Sequence, residues 1–172
     1  MLSCKPYIPA EHQKFVSELF KEAFPGYSSV ELEKCIIAAN EGRIHCPMLY
    51  DSGNNPVGFV FMKDYGVFNF VFYFAVSPHC AGHTYTMTFI EKLFQRDSRQ
   101  LIWEAERPVT DIGRHRIAYL KRCGLVLNSY DYKTLMPDMV PPGVQFYLMS
   151  RTPLSQEEYS EIIRITSEDV DF

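Results

Sequence analysis

The sequence predicts an α/β fold, with one mixed, mostly antiparallel sheet and helices on both of its faces. Three observations carry this. The hydrophobic period changes in a set order: helix, helix, three strands, helix, strand, helix, two strands, helix. The segment Val67 to Val76 is almost wholly apolar, as suits a central strand buried on both faces. The run from Val67 to Glu104 is a strand–helix–strand unit, which asks for parallel strands, whereas the strands before it form an antiparallel meander.

Each element has a local cause. A first helix spans Ala10 to Ala23, with Phe15, Leu19 and Ala23 on one stripe, and Pro25-Gly26 stops it. Ser28 opens a second helix. Glu31 stands at the capping-box position, and Tyr27 and Leu32 have the spacing of a hydrophobic staple. Leu32, Ile36 and Ala39 form its buried face, and Glu41-Gly42 closes it. Ile44 to Tyr50 reads as a strand, Asp51 to Asn55 as a turn, and Val57 to Lys63 as the return strand. Ser77-Pro78 ends the central strand. Gly82 to Gln95 is a helix with Met87, Ile90, Leu93 and Phe94 on one side. Gln100 to Glu104 is a strand and Ile112 to Arg122 a helix. Leu125 to Lys133 and Gln145 to Arg151 are two late strands around a Pro-rich loop, Met136 to Gly143. Ser155 and Glu158 form a second capping box, opening a last helix through Ile162, Ile163 and Ile165.

The 172 residues suit a single domain over 1–172 with one substantial core. The formal charge is −4 and Lys and Arg are not clustered, so nucleic acid is not expected as a partner. The longest apolar stretch contains Asn69 and is about half the length of a membrane helix, so no membrane span is expected. The opening residues have no continuous apolar stretch, so no signal peptide is expected either. Cys4, Cys35, Cys46, Cys80 and Cys123 are odd in number and widely spaced. They suggest reduced thiols in the cytoplasm, with neither a disulfide frame nor a zinc site. His79, His83 and His115 lack metal-ligand spacing, so no metal is expected.

The chemistry concentrates in Phe74 to Leu93, a buried strand, a proline stop, a short loop with Gly82, and an amphipathic helix. Such a turn aims backbone N–H groups and the positive end of a helix dipole at one spot, which favours a phosphate. The stretch resembles the coenzyme A motif of the GNAT superfamily of acyl-CoA N-acyltransferases, often written AVSPEYRGKGYGSALLEAL. The match runs through Ala75-Val76-Ser77-Pro78, Gly82 and Tyr85. At the right distance, Arg116 to Leu125 is similar to the family's RIAFYERLGF.

That resemblance implies a GNAT-like sheet with one splayed parallel pair, and direct transfer of an acetyl group from acetyl-CoA to a primary amine of a small molecule or peptide. A homodimer is compatible with it. The main chain of Ala75 and Val76 is implied as the donor set beside the pantetheine arm. The N–H groups of Ala81, Gly82, His83, Thr84, Tyr85 and Thr86 are implied at the pyrophosphate. The loop departs from the family's R-G-x-G-x-G/A pattern. Its basic residue is replaced by Ala81, and Thr84 and Thr86 stand where small residues are usual. Hydroxyls of the two threonines can bond phosphate in place of close glycine approach. The alternative reading is a GNAT-like module that binds a ligand or protein without catalysis.

The reaction needs a base for the ammonium and a donor for the developing oxyanion. Glu104 is the preferred base, with Glu106 behind it beyond the strand end, on one face by the period of two. The family's acid is a Tyr where this chain has Leu120. Tyr119 is one step earlier, about 100° around the helix, and is expected to point elsewhere. Tyr73 is a further candidate to line the cleft, and Tyr130 to Tyr132 with the Pro-rich loop to shape the acceptor pocket. Cys80 has no base beside it in sequence and is not read as a nucleophile. No GxSxG elbow supports a hydrolase.

Overall fold

The computed structural model describes residues 1–80, 84–134 and 141–169. Among the described residues, seven strands form one sheet, ordered β1-β2-β3-β4-β5-β7-β6. These are β1 (Ser3–Lys5), β2 (Met48–Tyr50), β3 (Pro56–Asp64), β4 (Phe68–Val76), β5 (Gln100–Glu106), β6 (Val126–Asn128) and β7 (Phe146–Ser150). The helices are α1 (Pro9–Ala23), α2 (Ser29–Asn40), α3 (Thr84–Arg96), α4 (Asp111–Arg122) and α5 (Gln156–Ser167). Among the described residues only β4 and β5 pair in parallel; every other neighbouring pair is antiparallel. The expected α/β class, with a mixed sheet and a single parallel pair, is therefore the observed one.

The strong apolar content of β3, β4 and β5 is spent on two cores. One face of the sheet packs Phe59, Phe61, Phe70 and Ile102 against Val16, Phe20, Leu32 and Ile36 of α1 and α2, with Ile162 of α5. The other packs Val60, Val71 and Trp103 against Phe89, Ile90 and Leu93 of α3 and Ile117 and Leu120 of α4. Five phenylalanines, Phe20, Phe59, Phe61, Phe70 and Phe89, are fully buried, each stabilising by about 1.5–3 kcal/mol against exposure.

Several elements differ from the sequence reading. A first edge strand, β1, was not expected, because three residues are too few to show a period. The strand expected over Ile44 to Tyr50 shrinks to Met48–Tyr50 with a single bridge from His45 to Met62, since Pro47 has no N–H for the ladder. The strand expected over Leu125 to Lys133 ends at Asn128. There the buried Asn128 amide donates to the Leu148 carbonyl at 3.2 Å and to Ser150 Oγ at 2.8 Å, and its oxygen accepts from Leu154 N–H at 3.0 Å. β5 runs on to Glu106, so Glu106 lies within the strand rather than beyond it.

The two capping signals part ways. Ser155 and Glu158 form the full box. Ser28 accepts from Val30 N–H at 3.2 Å, but Glu31 does not reach back. Its side chain turns inward along the stripe of Leu32, Cys35 and Ile36 and is fully buried.

β4 contains a bulge. Met62 pairs with Val71 and Phe61 with Tyr73, so Phe72 is the extra residue. Phe72 and Tyr73 consequently both serve the α1/α2 face, where strict alternation would send Tyr73 to the other side. Beside it, β3 passes very close to β4: a Cβ on Gly58 would stand 2.8 Å from the Ala75 carbonyl oxygen, so that position requires glycine.

Candidate active site

The parallel ladder between β4 and β5 stops short. It pairs Phe68 with Gln100 through Val71 with Trp103, although β4 continues to Val76 and β5 to Glu106. Past the bulge the strands diverge, and a cavity of about 380 Å3 fills the wedge. It is lined by β4 from Phe72 to Val76, by β5 from Trp103 to Glu106, and by the C-terminal end of α1. Thr86 of α3 and Tyr119 and Leu120 of α4 close the other side.

The ladder decides which main-chain groups face the wedge. Ser77 N–H donates to the Val57 carbonyl at 2.8 Å, and the register continues as Phe59 with Ala75 and Phe61 with Tyr73. In an antiparallel pair, alternate residues turn both groups to the same partner. Ala75 therefore spends its N–H and C=O on β3, and Phe74 and Val76 turn theirs toward β5. Of the expected pair Ala75 and Val76, the alternation turns the Val76 groups toward β5 together with those of Phe74, and the Ala75 groups toward β3. Sequence reasoning could not find this, because it depends on ladder phase.

Glu104 and Glu106 both line the cavity, on the face that β5 turns to α1 and α2. Glu104 Oε1 accepts a 2.6 Å hydrogen bond from the buried Tyr132 hydroxyl. Glu106 Oε2 lies 3.7 Å from Arg116 Nη1 of α4. Two carboxylates that look equivalent in sequence thus have different neighbours: a phenol for one, a guanidinium for the other. Tyr130 has a structural part instead, donating to the Leu154 carbonyl at 2.9 Å and stacking on Tyr159.

Tyr119 was expected to point away. It lines the cavity, beside Thr86. Burial pushes its pKa up, against the opposing pull of the Thr86 side chain, so the phenol keeps its proton at neutral pH. A one-residue helical offset is tolerated because the cavity reaches around α4 far enough to include both Tyr119 and Leu120.

Tyr73 also reaches the cavity, through the bulge. Burial, and after it Glu31, Cys35 and Glu104, push its pKa far above the usual range. Of the expected phosphate loop, Thr84, Tyr85 and Thr86 form the first described turn of α3. Thr84 is exposed and Thr86 lines the cavity. Ala81, Gly82 and His83 lie outside the described residues.

All five cysteines are free thiols, and burial pushes the pKa of the half-buried Cys80 up, away from the reactive thiolate. Among the described residues no helix is long and apolar enough to cross a membrane.

No family model matches the sequence, and no curated protein matches it. Solved structures match strongly. A protein from Bacteroides thetaiotaomicron described as an acetyltransferase of the GNAT family superposes with a TM-score of 0.80 at 28% identity, over 98% of this chain and 97% of that one. A spermidine N-acetyltransferase from Vibrio cholerae gives 0.65 at 11% identity, over 87% and 92%. The ribosomal-protein-S18-alanine N-acetyltransferase of Escherichia coli gives 0.57 at 17%, over 91% and 97%. The splayed pair, the flanking helices and these likenesses define a GNAT-type α/β protein. The fold is that of the GNAT superfamily.

Proposed function

We propose that this chain transfers an acetyl group from acetyl-CoA to a primary amine, acting in the cytoplasm as a single domain. The observation that carries this is the wedge between β4 and β5. It brings outward-turned main chain, a carboxylate and a protonated phenol to one cavity.

The residues present fit the coenzyme. The first turn of α3, with the Thr84 and Thr86 hydroxyls, would hold the pyrophosphate. The main chain of Phe74 and the Val76 carbonyl would hold the pantetheine arm. When bound, the thioester supplies an activated carbonyl carbon.

Around that carbon each residue has one task. Glu104 accepts the proton of the incoming ammonium, directly or through water, so that the nitrogen lone pair can attack. The Val76 N–H donates to the carbonyl oxygen as negative charge develops there. The carbon–nitrogen bond forms, the carbon–sulfur bond breaks as Tyr119 gives its proton to the departing sulfur, and the second nitrogen proton, lost as the amide forms, restores the Tyr119 phenol through water. The surplus proton returns from Glu104 to solvent. Glu106, held beside Arg116, shapes the field of the site without taking the proton.

The test is thiol release from acetyl-CoA in the presence of an amine panel, with the acetylated amine identified by mass. Amine-dependent release supports the reading. Tight binding of coenzyme A without transfer to any amine replaces it with the non-catalytic module.

A further inference from the structure

The cavity has two unlike halves, and the half away from α3 carries an inference about the acceptor. It is walled by aromatic rings in a fixed cluster. Phe24 packs on Tyr73 with centroids 5.2 Å apart at 70°, and on Tyr27 at 5.5 Å and 62°. Tyr27 meets Tyr73 at 6.1 Å and 86°. Phe20, fully buried behind them, meets Tyr73 at 4.9 Å and 70°. Edge-to-face contacts on several sides hold these rings in place before any ligand arrives. The Tyr27 phenol, pushed up to about 12 mainly by burial, stays neutral, as does Tyr73. The wall is therefore aromatic and phenolic and carries no negative charge of its own.

Charge enters at limited points. The described lining holds Glu22 at the rim, Glu104 and Glu106 on β5, and one cation, Arg116. Glu22 lies 3.5 Å from His79, and Glu106 lies 3.7 Å from Arg116. A polyamine with several ammonium groups needs a row of carboxylates along its length. Here a second ammonium beyond Glu104 would have to compete with Arg116 for Glu106, and that like-charge approach selects against it.

We propose that the acceptor is a monoamine carried on an aromatic body, its ring seated against Phe24, Tyr27 and Tyr73 and its nitrogen directed to Glu104. This rests on the acyl-transfer reading above and narrows it. Ring-on-ring contact positions the body, and the ammonium gains from the π-faces before it loses its proton.

The experiment compares kcat/KM for phenethylamine, hexylamine and spermidine at saturating acetyl-CoA. Phenethylamine should exceed spermidine by about tenfold or more. Tyr27→Leu, which keeps apolar bulk and removes the ring, should raise KM for phenethylamine several-fold more than for hexylamine and leave acetyl-CoA affinity unchanged. Phe24→Leu should act in the same direction. Thermal melts of both variants confirm folding, and each variant serves as a check on the other. Preference for spermidine, or equal KM changes for the aromatic and aliphatic amines in both folded variants, overturns the inference while leaving acyl transfer intact. Absence of transfer to all three and to a wider amine panel, with acetyl-CoA still bound, overturns the acyl-transfer reading itself and this inference with it.

Discussion

The Tyr132 hydroxyl donates a 2.6 Å hydrogen bond to Oε1 of Glu104, joining the segment after β6 to the strand that opens the cleft. A hydrogen bond to the charged form of a carboxylate stabilises that form and lowers its pKa. Tyr132→Phe removes the donor and keeps the ring. The acid limb of the kcat/KM profile should then move to higher pH. An unmoved profile with merely lower activity would make Tyr132 a packing residue only.

The two β5 carboxylates should separate kinetically. Glu104→Gln is expected to lower kcat by about 10²–10⁴-fold, the usual contribution of a general base, without changing coenzyme A affinity. Glu106→Gln should change kcat little, because Glu106 already faces Arg116 at 3.7 Å. Steady-state kinetics of the pair, measured side by side, check this. Equal losses in both would mean that the carboxylates act as one unit.

Tyr119 lines the cavity and retains its proton, so Tyr119→Phe should lower kcat. The expected loss is about tenfold, smaller than for the base, because a departing thiolate needs less protonation than an alkoxide would. Kinetics with unchanged KM for acetyl-CoA would support the donor role, and an unaltered kcat would remove it.

Glu31 gives a stability prediction with a definite sign. Its side chain is fully buried, Oε2 has no hydrogen-bond partner among the described residues, and Oε1 lies 3.8 Å from Cys35 Sγ. Burial pushes its pKa up from 4.5 to about 7, with Lys34 opposing. The native state therefore holds this proton between about pH 4.5 and 7, where the unfolded chain has released it. Stability is lost as pH rises through that window. Glu31→Gln removes the dependence, so its stability advantage should grow from near zero at pH 4.5 to about 3 kcal/mol above pH 7. Denaturant unfolding of both proteins at pH 5 and pH 8 measures it, and a pH-independent difference would contradict it.

Much of the frame was written locally. α3, α4 and the apolar β4 follow from period and length, and the Ser155 box follows from two residues at the right spacing. What shapes the site was not local. In β4 every residue from Phe70 to Val76 is apolar, so alternation carries no phase and the bulge at Phe72 leaves no mark. The same bulge sets the place of Tyr73 in the cleft, and the ladder beyond it sets which amides face β5. Glu31 matched a cap by spacing, but tertiary packing rotated it into the core. The bond from Tyr132 to Glu104 spans 28 residues and has no sequence signal at all.

The central claim is that the wedge between β4 and β5 performs amine acetylation with Glu104 as base. The most direct measurement is thiol release from saturating acetyl-CoA with phenethylamine, as a function of pH, for the parent and for Glu104→Gln. The account predicts amine-dependent release by the parent that rises with pH and a loss of about 10²–10⁴-fold in the variant, with coenzyme A affinity retained. Equal turnover by the two proteins across the pH range would contradict it.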